Sequence, residues 1–317
     1  MPKVVIMSNT ACMHLFNNIT DPELISLKEE LIVEKFSDGE MSIKPRNSVR
    51  GAYVYLFAET SHNLTELLLT LDSLTRASVY KVTLILGFYG YSRQDKRGST
   101  RGSLGARTVA KVISCFNIVE RVVSIDLHAD QIQMAWDIPV DNIHGDTIFL
   151  PYIKKWLTPN TIFCSPDAGG KDRVRAYEAK LGYPMIAMDK HRIKANEVST
   201  MRLIDDVSGK DVIIIDDMID TAGTLKKSVD LLKANGAKTV SFVATHGILS
   251  GNAINNLATS GLTNLMISNT IRMSGEKLFE MVDALGNNSF SVVSCVPVLE
   301  RVIKNIMNDG SVSEINL

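Results

Sequence analysis

Short runs of β-branched and aliphatic residues alternate along this chain with stretches of helical periodicity, and few folds accept that combination. Runs such as Tyr53–Phe57 and Val212–Ile215 lack the in–out alternation of a strand with one wet face. A strand apolar on both faces belongs to a mostly parallel sheet covered by helices on both sides. The pattern predicts strands at Lys3–Met7, Tyr53–Phe57, Lys81–Leu86, Arg121–Ile125, Thr161–Cys164, Met185–Met188, Val212–Ile215, Thr239–Ala244 and Ser291–Ser294. Between them, Leu64, Leu67, Leu68, Leu71 and Leu74 recur at helical spacing. So do Ala106, Val109, Ala110 and Ile113, with Ser103 as the expected N-terminal cap. Leu225, Val229 and Leu232 define another helix, with Gly236 where a left-handed C-terminal cap belongs. Strand and helix in alternation read as an α/β fold.

At 317 residues the chain points to two domains. Two stretches share one plan, Val122 to Asp130 and Val212 to Asp220: an apolar strand runs into an acidic loop, with Asp126 and Asp130 each ninety positions from Asp216 and Asp220. This supports two similar lobes with the break near the Pro151 to Pro159 stretch. Acidic and basic residues nearly cancel to a net charge of −1, which excludes a broad cationic face for nucleic acid. No apolar run approaches the ~18 residues needed to span a bilayer, and Val4–Met7 is short for a secretory segment. The four cysteines form no C-x-x-C pair, which fits a reducing cytoplasm and buried thiols.

The sharpest chemical signal is Asp216-Asp217-Met218-Ile219-Asp220-Thr221-Ala222-Gly223-Thr224. It follows an apolar strand and runs into the Leu225 helix, the place where open α/β sheets bind ligands. Thr221, Gly223, Thr224 and the first amides of a helix cradle a phosphate, aided by the helix dipole. Aspartates there would repel that phosphate unless they face sugar hydroxyls or a magnesium ion, so the motif reads as a site for a phosphorylated sugar. A solvated acidic turn with Thr224 as helix cap is the bland alternative. Phe36-Ser37-Asp38-Gly39-Glu40 offers an aromatic face and carboxylates, although a turn after a strand explains it as well. Arg93 is suited to a bidentate grip on phosphate. The Asp167–Gly170 turn has glycines that let its amides meet a diphosphate. Lys190-His191-Arg192 is a basic loop able to close over a phosphate site and exclude water. There is no G-x-x-x-x-G-K-[ST] loop.

The acidic pair followed by D-T-A-G-T resembles the ribose-phosphate loop of type I phosphoribosyltransferases and of ribose-phosphate diphosphokinases. Phe36–Glu40, Tyr91 to Lys96, Asp126 to Gln131, Ser165 to Gly170, Ala244 to Gly247 and Ser311-Val312-Ser313 resemble the diphosphokinases, in order from about residue 3 to 313. That resemblance implies an α/β chain of two similar phosphoribosyltransferase-like lobes, each a mostly parallel sheet flanked by helices. The lobes would be 1–145 joined by 298–317, on the ATP side, and 146–297, binding ribose phosphate. It implies transfer of the diphosphoryl group of ATP to the 1-hydroxyl of ribose 5-phosphate, at a cleft between the lobes, giving phosphoribosyl diphosphate and AMP for nucleotide biosynthesis. ATP would contact Phe36, Asp38, Gly39, Glu40, Arg93 and Gln94. Ribose 5-phosphate would contact Arg192, Asp216, Asp217, Asp220, Thr221, Ala222, Gly223 and Thr224. Lys190 and Arg192 would stabilise the transferring group, and His128 and Asp167 would hold Mg2+. Ser48, Arg50, Ser311 and Ser313 would form a regulatory site, in a cytoplasmic homohexamer with no nucleic-acid or membrane partner. The glycine-rich 98–105 stretch departs from the family pattern, as does Arg107 where relatives carry lysine. A phosphoribosyltransferase would share Asp216–Thr224 without needing Phe36–Glu40. A catalytically silent relative would have lost Asp167, Lys190 or Arg192, all present here.

Overall fold

The computed structural model describes residues 3–61, 63–191, 200–203, 205–286 and 289–316. The chain forms two compact units, Met1–His144 with Cys295–Leu317, and Gly145–Ser294.

The first unit runs β1 (Val4–Ser8), α1 (Met13–Asn17), α2 (Pro22–Ser26), β2 (Leu31–Lys35), β3 (Met41–Pro45), β4 (Tyr53–Ala58), α3 (Leu64–Arg76), β5 (Lys81–Leu86), α4 (Gly105–Ser114), β6 (Val119–Ile125) and β7 (Val140–Ile143). Its sheet has the order β1-β4-β5-β6-β7, and every pairing is parallel. β2 and β3 form a separate antiparallel hairpin. Val54, Leu56, Val82 and Leu84 of the strands share one core with Leu67, Leu71 and Leu74 of α3 and Val109 and Ile113 of α4. Those helical leucines recur at the spacing that puts them on one face, which is why α3 docks where it does.

The second unit runs α5 (Asp146–Ile153), β8 (Thr161–Ser165), α6 (Lys171–Leu181), β9 (Met185–Ala187), β10 (Asp189–His191), β11 (Thr200–Arg202), β12 (Asp211–Ile219), α7 (Gly223–Ala234), β13 (Thr239–Gly247), α8 (Ala253–Ala258), β14 (Asn264–Ser268), α9 (Gly275–Leu285) and β15 (Phe290–Val293). Its sheet order is β15-β14-β13-β12-β8-β9, again parallel throughout, with β10–β11 as an antiparallel hairpin. The chain then re-enters the first unit as α10 (Val296–Met307). Glu300 of α10 accepts from the Thr20 amide and, at 3.0 Å, from the Asp21 amide. Lys304 pairs with Asp21 at 2.9 Å.

The α/β reading with two like lobes holds, and several details differ. The unit boundary falls at His144, and Pro151 lies inside α5 instead of at a break. The duplication is real in strand plan but not in the register expected. In each unit an antiparallel hairpin separates the opening strand from a run of further strands in sequence order, the second unit adding the edge strand β9 before its hairpin, which matches β12 to β4 and β14 to β6. The ninety-position match between Asp126 and Asp216 therefore joins non-equivalent strands. Both simply end at the carboxyl edge of a sheet. Ser103 does not cap α4, whose N-terminus has no side-chain cap. Its hydroxyl donates to Gln94 Oε1 at 3.1 Å. Cys115 is exposed, whereas Cys12, Cys164 and Cys295 are buried, and burial pushes the Cys164 and Cys295 thiols up to about 12.

After β5 the backbone passes so close to the β4–α3 turn that a Cβ on Gly90 would lie 2.5 Å from Ser61 Cα. The Gly90 amide also donates to Thr60 Oγ1 at 2.7 Å. Gly90→Ala is expected to cost about 1–3 kcal/mol by overpacking, at roughly 2–4 °C of Tm per kcal/mol. Thermal denaturation reads this directly, and an unchanged Tm would contradict the close approach.

Candidate active site

In the second unit, β13, β12 and β8 are neighbours, so the segments leaving their carboxyl ends lie side by side. β12 runs four residues beyond the expected Val212–Ile215, so Asp216 and Asp217 are strand residues and not part of a loop. Asp217 is buried, and its Oδ1 stands 4.0 Å from Arg173 Nη1, from the first turn of α6. The Asp217 amide donates to Asp216 Oδ1 at 2.9 Å. Burial pushes the Asp216 carboxyl well above the usual range, the Asp217 carboxylate pushes the same way, and Arg173 opposes both.

That shift has a measurable sign. A carboxyl whose folded pKa is raised stabilises the fold fully below its ordinary value of 3.8 and loses that contribution as pH climbs through the raised value. Asparagine carries no charge at any pH. Asp216→Asn should therefore raise Tm at pH 8, by roughly 2–4 °C per kcal/mol, with the gain shrinking toward pH 4. A variant that melts below the parent at pH 8 would contradict the burial of charge at this position.

Beyond β12 the backbone turns sharply. Ala222 adopts φ 58, a left-handed conformation unusual for a residue with a Cβ. Successive amides around such a residue turn to one side and form an anion-binding concavity. α7 begins at Gly223 with no side-chain cap and no acidic residue in its first turn. Thr224 thus does not cap the helix, which corrects that part of the bland alternative. A Cβ on Gly223 would meet only Thr221 Oγ1, at 3.8 Å, so the space above the helix N-terminus is open. Ser250 Oγ donates to Asp220 Oδ1, and Asn256 Nδ2 donates to the Thr221 carbonyl at 2.8 Å.

The turn after β8 is built differently from expectation. Asp167 is exposed, and its Oδ1 accepts from the amides of Gly169 at 2.8 Å and Gly170 at 3.1 Å. Those amides, expected to meet a diphosphate, are held here by the chain's own carboxylate. Gly170 leaves no room for a side chain, since a Cβ would fall 2.8 Å from Ser165 Oγ.

The first unit carries the other expected contacts. Phe36–Glu40 is the tip of the β2–β3 hairpin, closed by Phe36 N–H to the Glu40 carbonyl at 2.9 Å, with Gly39 at φ 93. Its side chains are exposed, Phe36 to 55%. Arg93 and Gln94 lie in a short 3-10 turn after β5. Gln94 packs so tightly on the start of α4 that a Cβ on Gly105 would sit 2.7 Å from its Oε1. His128 is half-buried beyond β6; the neighbouring Leu127 amide donates to Asn142 Oδ1 at 3.0 Å. Ser313 lines a cavity of 280 Å³ with Asn142, His144 and Asn316, and the Ser311 carbonyl accepts from Asn305 at 2.9 Å. No hydrogen bond among the described residues joins Ser48 or Arg50 to Ser311 or Ser313.

His128 and Asp167 belong to different units, and no cluster of three or more His, Cys, Asp or Glu side chains fit to hold a metal occurs among the described residues. Magnesium is commonly held by one or two carboxylates, its remaining ligands being water and phosphate oxygens. The exposed Asp167 fits that role by donor type, and an imidazole nitrogen fits it less well. Lys190 lies in β10, opposite Met201, while Arg192 lies outside the described residues.

The family model for the N-terminal domain of ribose phosphate pyrophosphokinase matches residues 4–116, and that for the phosphoribosyl synthetase-associated domain matches 173–315. Ribose-phosphate pyrophosphokinase from Campylobacter jejuni is 41% identical over 89% of both chains. That from Vibrio parahaemolyticus is 39% identical over 99% of both. This chain belongs to the ribose-phosphate pyrophosphokinase family. The phosphoribosylpyrophosphate synthetase structure from Mycobacterium smegmatis is 31% identical, with a TM-score of 0.87 over 97% of this chain and 100% of that one. As a ribose-phosphate pyrophosphokinase the chain is a diphosphotransferase, and no helix of the described residues is long and apolar enough to cross a membrane. Of the residues that shape its site, sequence reading missed Ser250 and Asn256. They lie 30 and 35 residues from their partners, and nothing in one sequence announces such a contact.

Proposed function

We propose that the enzyme transfers the diphosphoryl group of ATP to the 1-hydroxyl of ribose 5-phosphate, giving phosphoribosyl diphosphate and AMP. The observation that carries this reading is the Asp220–Thr224 turn. Its left-handed Ala222 and uncapped helix start form an anion cradle, and a carboxylate pair suited to sugar hydroxyls stands directly before it. The 5-phosphate sits on the amides of Gly223 and Thr224 and the hydroxyls of Thr221 and Thr224. Asp216, Asp217 and Asp220 accept from the ribose hydroxyls, and Arg173 keeps Asp217 in place.

ATP binds through Phe36, Asp38, Gly39 and Glu40, the aromatic face stacking on adenine and the carboxylates accepting from its amine, with Arg93 and Gln94 on the nucleotide. Asp167, with His128, would hold a magnesium ion, which when bound neutralises polyphosphate charge. When Asp167 turns to that role it releases the Gly169 and Gly170 amides, which then meet the diphosphate. The sugar 1-hydroxyl attacks the β-phosphorus in line and AMP departs. Lys190 and Arg192 hold the charge that builds on the oxygens. In this reading the enzyme works as a cytoplasmic homohexamer that supplies nucleotide biosynthesis, regulated at Ser48, Arg50, Ser311 and Ser313.

The test is AMP release from ATP with and without ribose 5-phosphate. The reading expects release only with the sugar phosphate. Release that ignores the sugar phosphate would contradict it.

A further inference from the structure

The phosphate turn is supported by a neighbouring segment, 248–259. Three contacts run along the turn in register. Ile219, the last residue of β12, offers its carbonyl to the amides of Ile248 at 2.9 Å and Leu249 at 3.1 Å. Ser250 Oγ donates to Asp220 Oδ1. Asn256 Nδ2, on α8, donates to the Thr221 carbonyl at 2.8 Å. A carbonyl can only accept, so the amide orientation of Asn256 is fixed by its partner. At the fourth residue of α7, Lys226 Nζ donates to Thr259 Oγ1 at 2.7 Å. The supporting segment is itself braced: Leu249 has φ 53, and Lys277 of α9 donates to its carbonyl at 2.5 Å.

We propose that Ser250 and Asn256 are positioning residues for sugar-phosphate binding, acting through Asp220 and through the Thr221–Ala222 peptide. This rests on the assignment of the Asp220–Thr224 turn to ribose 5-phosphate. A trans peptide points its carbonyl and the next N–H in opposite directions. By drawing the Thr221 carbonyl toward α8, Asn256 aims the Ala222 N–H away from α8, which sets the peptide that leads into the cradle amides of Gly223 and Thr224. The left-handed Ala222 is costly and persists only where neighbours over-determine it. The Ile219 and Thr221 carbonyl bonds, both in the three residues before Ala222, do this. Ser250 acts on the other element of the site. A carboxylate bonded at Oδ1 is held to few rotamers, so Asp220 meets the ribose hydroxyls already oriented. Affinity then rises because less freedom is lost on binding. Neither residue needs to touch the sugar phosphate.

The expected result is a split between the two substrates. Ser250→Ala removes a bond to a charged group and should raise KM for ribose 5-phosphate about tenfold or more, and Asn256→Ala about fivefold. KM for ATP should stay at the parent value for both. Ser250→Thr keeps the hydroxyl and should restore the parent KM. Asn256→Asp sets a carboxylate against the Thr221 carbonyl and should be worse than alanine. Thermal denaturation of each variant, at parent Tm, separates these effects from misfolding. Calorimetry with ribose 5-phosphate alone gives the same ranking without turnover. Asp220→Asn serves as the reference. If it loses sugar-phosphate affinity while Ser250→Ala and Asn256→Ala keep theirs, the positioning role is overturned and the assignment of the turn stands. If Asp220→Asn also keeps its affinity, both are overturned. Equal rises of KM for ATP and for ribose 5-phosphate in the alanine variants would likewise overturn the positioning role.

Discussion

Lys190→Ala is expected to lower kcat at least a hundredfold while leaving ATP affinity nearly unchanged. Diphosphoryl transfer needs positioning and charge stabilisation more than covalent catalysis. Lys190 sits on extended backbone, where Asp189–His191 pairs with Thr200–Arg202. Loss of a preorganised stabiliser typically costs about 2.7–4 kcal/mol, a hundred- to thousandfold in rate. Arg192→Ala should lower kcat comparably and raise KM for ribose 5-phosphate more, because Arg192 is also assigned to the sugar phosphate. Steady-state kinetics with each substrate varied in turn separate these effects. A Lys190→Ala enzyme of near-normal kcat would return the hairpin to a plain basic surface.

Asp220→Asn should weaken ribose 5-phosphate binding by about ten- to a hundredfold, the range for a lost hydrogen bond to a charged group, with ATP binding intact. Asp220 closes the acidic stretch that begins at Asp216 and opens the turn into α7, the stretch proposed above to bind the sugar phosphate. The residues assigned to ATP in this account, Phe36 to Glu40, Arg93 and Gln94, all fall in the other unit. Calorimetry with each ligand singly reads both affinities. Equal loss of the two would contradict separate subsites.

Where the sequence was legible, local chemistry alone decided the structure. β5 begins and ends at Lys81 and Leu86 as its pattern indicates, and Gly236 takes the left-handed conformation expected after α7. The Asp216–Thr224 stretch was readable because strand, turn and helix start are adjacent in the chain. Where tertiary partners compensate, the reading fell short. Two aspartates inside β12 look like the end of a strand until Arg173 is seen beside them. β14, Asn264-Leu-Met-Ile-Ser, carries a single β-branched residue, Ile267, where its neighbours carry several, and it is held by strands on both sides. Ser103 looks like a cap until Gln94 competes for its hydroxyl. The apparent repeat of Asp126 at Asp216 reflected a shared local solution, and only sheet order shows which strands correspond.

Phosphorus-31 NMR of the enzyme with ATP, magnesium and ribose 5-phosphate tests the central claim most directly. The account predicts that the ATP signals give way to those of AMP and of a diphosphate ester on the sugar C1, in equal amounts and only when ribose 5-phosphate is present. Formation of ADP with a sugar monophosphate, or turnover only when phosphoribosyl diphosphate and a nucleobase are supplied, would contradict it.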